Sequence, residues 1–415
     1  MLYTLAWILI IYVCYSLCDG DTVSLVNNER YSVARDRRFL LYDVNHGEGF
    51  NLRRDVYMRI ANAVRLLRKA GEPFILVLPP WGGLYHWKQP NVRLKWSEFF
   101  DVKSLNEFVP VLEFEDYLQE YGTLIDQVVY LQHYKEGWSD DYILKYDRRE
   151  CIEGSRFYRR EGHLWRGWFF SYDEVRAKKF ECISIQGDSE TLKKLILNQY
   201  PETSSIFIDR GEAILHQHYG DVHYWQARRS MRYAKHLVEI GDFFRESQLE
   251  STDEQDRTQL AVSRNDVKNR DAIGGNFLCA HWRRRDFVRA HGDELPSING
   301  AAKQLNDLCE KARVTRIFLA TDASESEVEQ LSAMLRVPVL RFKNSTLPDG
   351  AVAIIDQWIC AHARVFVGSH VSTFSYRIQE DREILGFAPN TTFNRLCPDK
   401  LNNCEQPAKW TIVYE

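Results

Sequence analysis

The sequence contains no Cys-x-x-Cys pair, no internal repeat and no low-complexity tract. Its only Asp-x-Asp is Asp19-Gly20-Asp21, and it has no Gly-x-Ser-x-Gly. The first absence removes the common zinc and thioredoxin-type readings. The last removes a nucleophile-elbow hydrolase. A net charge of -4 leaves no global pull toward nucleic acid or an anionic membrane. Beyond residues 2–17 no apolar run is long enough to cross a bilayer. That first run ends in the small residues Ser16 and Cys18, and residues 1–18 are read as a cleaved signal peptide, with a membrane anchor as the alternative.

What is present is a packed globular composition, 45% hydrophobic and 13% aromatic, in a chain of 415 residues. That length is too great for one ordinary core, so two domains are expected. Positive charge comes in short clusters, among them Arg53-Arg54, Arg228-Arg229 and Arg283-Arg284-Arg285, which suits a compact anion better than a polyanion. Seven cysteines follow the signal region, an odd number that leaves at least one thiol in an oxidising compartment. Cys397 with Cys404 and Cys151 with Cys182 are candidate disulfides, whereas Cys279 and Cys360 lie in apolar runs and read as buried small hydrophobes. Asn344-Ser345-Thr346 and Asn390-Thr391-Thr392 are N-glycosylation candidates and fit lumenal passage.

Short apolar runs alternate with amphipathic stretches, the pattern of a parallel α/β protein. Residues 39–44 and 74–78 read as strands, joined by a glycine loop at 47–49 and a helix from about Leu52 with Val56, Ile60, Val64 and Leu67 on one face. Residues 81–187 look less regular. Residues 205–209 read as a strand, 225–248 as one long helix, and polar 251–257 as a boundary. A second set follows, with strands at 277–281, 316–320, 337–342 and 364–368. Helices are expected at 297–312, 326–335 and 351–363 and from about Ser372. Two such sets imply paired Rossmann-like domains facing a cleft, where ligands sit at the carboxyl ends of strands.

Three segments carry chemistry. His281-Trp282-Arg283-Arg284-Arg285-Asp286 follows a strand, and its arginines form either a diphosphate clamp or a solvated charge cluster. Gly368-Ser369-His370-Val371-Ser372-Thr373-Phe374 is a strand-to-helix turn, which can bind phosphate or simply cap a helix. Gly47-Glu48-Gly49-Phe50-Asn51 exposes Glu48 as a candidate general base, against the plainer reading of a turn with a solvated Glu. Asp356 stands between apolar neighbours and needs a partner, either a nucleobase edge or an arginine. His216, His218 and His223 match no common metal-ligand spacing.

Residues 42–55, 76–82, 281–287, 354–363 and 372–375, in this order, resemble the GDP-fucose protein O-fucosyltransferases that modify thrombospondin repeats. The resemblance runs from about Arg37 to the carboxyl end. It implies a GT-B glycosyltransferase in which residues 22–250 form the acceptor-side domain and 251–415 the GDP-fucose domain. It further implies inverting, metal-independent transfer of fucose from GDP-β-L-fucose to Ser or Thr of folded thrombospondin type 1 repeats in the endoplasmic reticulum lumen. No cofactor is implied. With no usable Asp-x-Asp, arginine and helix N-termini are expected to neutralise the diphosphate. The resemblance makes Glu48 the base and Arg283 the group facing the β-phosphate. Gly47, Glu48, Gly49, Phe50, Asn51, His281, Trp282, Arg283, Asp356, Thr373 and Phe374 would line the donor. Its disulfides would be Cys151–Cys182 and Cys397–Cys404. His46-Gly47, Trp282 and Asp381 depart from the pattern.

Overall fold

Five-residue runs such as Phe-Ile-Leu-Val-Leu, apolar on both faces, form strands that helices must cover on both sides. The computed structural model describes residues 26, 30, 31 and 37–415, apart from 85, 86, 88, 90, 91, 138–141, 264, 370, 393, 402, 403, 407–409 and the side chain of Ser155. The signal-peptide reading of residues 1–18 lies outside the described residues.

The amino-terminal strands are β1 (Arg38–Tyr42), β2 (Phe74–Leu78), β3 (Val111–Glu113), β4 (Leu124–Gln132), β5 (Lys145–Arg148), β6 (Arg159–Glu161), β7 (Leu164–Arg166), β8 (Arg176–Asp188), β9 (Ser205–Asp209) and β10 (Ile214–Leu215). Among the described residues they make one sheet of order β3-β2-β1-β9-β4-β8-β7-β6, with β5 and β10 also on β8. The run from β3 to β8 is parallel; β5, β6 and β7 add an antiparallel margin. Leu40 sits opposite Leu76 and Ile206, which fixes β1 at the centre with its carboxyl end between two neighbours. The segment 81–187, expected to be irregular, in fact supplies β4 and the 13-residue β8. The amino half of β8 is partly exposed and charged, which hid its period in the sequence.

The helix α1 (Phe50–Lys69) follows β1. It contains no Gly or Pro, and it stops at Ala70 and the left-handed Gly71. Val56, Ile60, Val64 and Leu67 are buried as their spacing predicts, each worth about 1.5–3 kcal/mol of burial, but Leu52 is exposed. The long helix expected at 225–248 is broken into α2 (Val222–Ser230) and α3 (Lys235–Leu249). Between them Asp101 donates its backbone N–H to Arg232, and Ala234 donates to Phe99, bonds that need extended chain. Local propensity cannot anticipate such a distant partner.

The second sheet uses β11 (Gly275–Trp282), β12 (Ile317–Thr321), β13 (Val339–Leu340), β14 (Ala363–Gly368) and β15 (Asn394–Arg395), in order β13-β12-β11-β14-β15, all parallel. Its helices are α4 (Ile298–Ala312), α5 (Glu325–Met334), α6 (Asp349–Ala361) and α7 (Thr373–Leu385). Ser297 caps α4 and a Ser324–Glu327 capping box opens α5, which begins one residue before the expected start. The strand expected at 337–342 shrinks to Val339–Leu340. Although α3 precedes residue 250, it packs on the second sheet. Trp358 of α6 donates to Asp242 at 2.7 Å, and Phe244 meets Phe318 with ring centres 5.6 Å apart. Trp410 returns to the first unit, its ring 5.1 Å from Trp225.

Three disulfides form among the described residues: Cys151–Cys182, Cys397–Cys404 and Cys279–Cys360. The first two match expectation. The third corrects the reading of Cys279 and Cys360 as separate apolar fillers. Both are fully buried, and the strand alternation that turns Cys279 toward α6 also brings it to Cys360. Cys309 keeps its thiol, buried and pushed up to about 11 by that burial. Among the described residues no helix is long and apolar enough to cross a membrane.

Candidate active site

β1 delivers its chain to a turn at the carboxyl edge of the first sheet. Glu48 donates its backbone N–H to Asn45 at 2.9 Å, and Arg53 of α1 donates to the Glu48 carbonyl at 3.2 Å. Arg210, which is left-handed at φ 66°, donates to the Asn45 side chain at 2.8 Å, and Glu212 accepts the Asn45 N–H at 3.0 Å. The turn is therefore pinned on three sides. Gly47 and Gly49 border Glu48 without left-handed backbone; Gly49 is extended at φ -76°. The Glu48 carboxylate is half-buried and makes no hydrogen bond among the described residues. Partial burial, then the nearby Glu212, raises its pKa above the usual 4.5, with Arg53, Arg59 and Arg210 pulling the other way. Beneath it, burial also raises Asp43 and Asp209, whose charges repel one another.

Phe50, counted above among donor-lining residues, is instead packed with Trp81, Phe99 and Phe100. Asn51 faces elsewhere. Its Oδ1 accepts from Gln357 of α6 at 3.0 Å and from Arg54 at 3.2 Å, which ties the Glu48 loop to the second unit.

On the second sheet β11 alternates. Trp282 points into the far cluster with Leu278 and Ala280, whereas His281 faces α7. The Trp282 side chain thus lies on the face opposite His281, where Arg284 covers it at 5.0 Å. His281 bonds Ser375 at 2.7 Å, and its ring stacks on Phe374 with centres 4.3 Å apart. Burial first, then Arg283, lowers the His281 pKa to about 3, so it remains a neutral imidazole. The Arg283 backbone donates to Ser369 at 2.9 Å, and its guanidinium meets Asp286 at 2.7 Å and Asp322 at 3.2 Å. Arg284 pairs with Glu327 at 3.0 Å, and Arg285 is exposed. Arginine at the carboxyl end of β11 is thus sorted into one held fork and one structural pair.

The α7 helix starts next to this fork. Ser372 makes no side-chain cap, so the first-turn N–H groups around Thr373 and Phe374 keep their anion-binding capacity. Just before them the β-branched Val371 is held at φ 48°, a strained conformation of the kind found at ligand clamps. Asp356 lies on α6, and its enclosed Oδ1 has no hydrogen-bond partner among the described residues. Burial pushes Asp356 up to about 8, with Arg341 opposing. Ser369 and Ser375 fell within segments singled out in the sequence but without the roles they take here, and Asp322 was missed. Only the position of Asp322 just past β12, beside the end of β11, could have flagged it.

Buried charge joins the two units behind the site. Arg228 of α2 reaches Glu380 and Asp381 of α7, each at 2.5 Å, and Tyr233 donates to Asp381 at 2.6 Å. Arg377 binds Glu380 at 2.8 Å and approaches Asp55 of α1 at 3.7 Å; Asp55 also meets His216 at 3.1 Å. Asp381 therefore has a structural partner, and His216 is spent on a carboxylate. Arg228→Met takes from buried Asp381 its arginine partner, while Glu380 keeps Arg377, and is expected to cost about 3–5 kcal/mol. Denaturant midpoints measure that loss, and Asp381→Asn in the same chain should recover part of it. Among the described residues no group of three or more His, Cys, Asp or Glu is arranged to hold a metal.

Two parallel α/β units, a helix start beside a held arginine, and an unbonded carboxylate in the turn after β1 fit the GT-B fold. The family model for GDP-fucose protein O-fucosyltransferase matches residues 39–385, most of the chain. The chain belongs to that family and is a fucosyltransferase. It is 56% identical over 403 residues to the GDP-fucose protein O-fucosyltransferase 2 of Caenorhabditis elegans, covering 95% of each chain. It is 47% identical over 393 residues to that of Homo sapiens, covering 92% of this chain and 91% of the relative. The crystal structure of POFUT1 in complex with GDP-fucose shares the fold, with a TM-score of 0.58 at 14% identity over 88% of this chain and 98% of that one.

Proposed function

We propose that the enzyme transfers fucose from GDP-β-L-fucose to Ser or Thr hydroxyls of folded thrombospondin type 1 repeats, with inversion and without a metal, in the endoplasmic reticulum lumen. The name shared by its relatives in Caenorhabditis elegans and Homo sapiens supports the donor and the protein acceptor. The observation that supports the mechanism best is the Glu48 carboxylate, half-buried, unbonded and raised in pKa in a turn pinned on three sides. Glu48 takes the proton of the acceptor hydroxyl as the new C1–O bond forms on one face of the sugar. The bond from C1 to the β-phosphate oxygen breaks on the other face, and GDP leaves with the electron pair. Arg283 and the N–H groups of α7 stabilise the charge that grows there. Residues 22–250 supply the acceptor side and 251–415 the donor side, α3 excepted. Gly47, Gly49 and Asn51 shape the turn, while His281, Thr373 and Phe374 line the donor. Asn344 and Asn390, both exposed, are the glycan attachment sites.

Asp356 receives the N–H edge of guanine, which answers its unpartnered Oδ1. Asp356→Ala should weaken GDP binding by about tenfold to a hundredfold, read by calorimetry. Because the free carboxyl titrates near 8 and the ionised form is the better acceptor, donor affinity should rise as pH climbs toward that value. A flat profile removes the assignment. Incubation with labelled GDP-fucose, EDTA and a folded thrombospondin repeat tests the function as a whole. Label on the repeat supports it, and label only when a divalent ion is restored overturns the metal-free mechanism.

A further inference from the structure

The acceptor of a protein fucosyltransferase is far wider than the pocket that holds a sugar, so the rim around the base must bear its surface. One rim feature is built at a backbone cost. Phe169, Phe170 and Ser171 are consecutive left-handed residues, with φ of 36°, 57° and 65°. Bulky side chains rarely adopt that region, and a run of three has to be imposed by its surroundings. The surroundings are clear. Phe169 and Phe170 are buried against Phe207, with ring centres at 5.3 and 5.8 Å, and Phe170 meets Phe114 at 5.0 Å. The turn closes by Ser171 N–H to Trp168 carbonyl at 2.8 Å and Tyr172 N–H to Phe169 carbonyl at 3.0 Å. With two phenylalanines anchored inward, Trp168 is thrown outward and is 57% exposed.

This tryptophan is aimed at the base loop. Its ring lies edge-on to His46 with centres 6.4 Å apart, and His46 belongs to the same turn as Glu48. On its other side His46 lies against Gly83, where a Cβ would come within 3.0 Å of the ring. The connection continues beneath. Gly167 presses on Tyr158, leaving no room for a side chain, and Tyr158 donates to Asp209 at 2.7 Å. The next residue, Arg210, holds Asn45 of the turn. Trp168 and the Glu48 turn are therefore one mechanical unit, although far apart in sequence.

We propose that Trp168, with His46, is the shelf on which the folded acceptor protein rests while its hydroxyl meets Glu48. This inference builds on the acceptor reading above. A large, rigid ring at an exposed rim is the type of side chain that dominates protein recognition, because it buries much apolar area for little lost freedom. The occupant is the acceptor surface flanking the modified residue, since that surface must lie against the turn for transfer to occur. Trp168 is a specificity-determining residue. It does not touch the donor.

The test compares full-length wild type, Trp168→Ala and Trp168→Tyr in steady-state transfer to a folded thrombospondin repeat. The expected result for Trp168→Ala is an acceptor KM raised about tenfold or more. The KM for GDP-fucose and the slow release of GDP without acceptor should be unchanged, and Trp168→Tyr should recover most of the affinity. An acceptor KM within twofold of wild type overturns the shelf. So does an equal loss in the acceptor-free reaction, or a variant whose only change is in self-association. If the wild type modifies some other folded domain, the acceptor class falls; the same ratio measured on that domain still decides the shelf.

Discussion

Glu48→Ala lowers the transfer rate at least ~100-fold, with the circular dichroism spectrum and the affinity for GDP unchanged. The loss follows from what the turn isolates. The Glu48 carboxylate has no hydrogen bond of its own to lose among the described residues, so its removal disturbs little of the packing. Only proton acceptance disappears. The pH profile sharpens the expectation. Burial and Glu212 raise the Glu48 pKa, and only the ionised form can accept a proton, so activity is lost as pH falls through that raised value. The acid limb should therefore lie above 4.5, the usual glutamate figure. Glu212→Gln should move the limb down, because it removes the second-largest cause of the shift. A Glu48→Ala enzyme with near-normal transfer ends the base assignment.

Arg283→Ala is expected to cost roughly 100- to 1,000-fold in turnover, the range for removing one preorganised charge-stabilising group. Unlike Glu48, Arg283 is part of a built arrangement. Its guanidinium is held by Asp286 and Asp322, and Asp322 also accepts the Arg284 backbone N–H at 2.7 Å. Deleting the arginine leaves both carboxylates beside an arriving diphosphate. The KM for GDP-fucose should therefore rise together with the fall in kcat. Arg283→Lys restores charge but not the planar fork, and should recover donor affinity more than turnover. Single-turnover measurements separate the two effects. A variant that keeps turnover and loses only donor affinity would assign Arg283 to binding alone.

Much of the fold was readable because its strands are short apolar runs and its helices carry caps or stops. Ser297, Gly71 and the 3.6-residue period of α1 all behaved as local chemistry requires. What failed was non-local. The bonds between 232–234 and 99–101 broke a helix whose own sequence looked continuous. The Cys279–Cys360 bond joins two segments 81 residues apart, each of which alone reads as core. At the site the reactive residues stood out as motifs, yet motif membership did not say which way each side chain turns. Strand alternation sends Trp282 and His281 to opposite faces, and the aromatic cluster takes Phe50 into the core. The partners that aim Arg283 and His281 are Ser369 and Asp322 just past strand ends and Ser375 in the first turn of α7, and nothing in the sequence says which motif residue pairs with which.

The charged seam between α1, α2 and α7 has a consequence for how the donor gets in. A jaw-like opening along that seam would part Arg228 from Glu380 and Asp381, and Arg377 from Asp55. Leaving one of these charges buried without its partner costs about 3–5 kcal/mol, so the seam resists being parted one charge at a time. The rear of the cleft is thus a fixed vice. Any relative motion of the two units has to carry these charges together, and yielding short of that falls to the turns at the lip of the cleft.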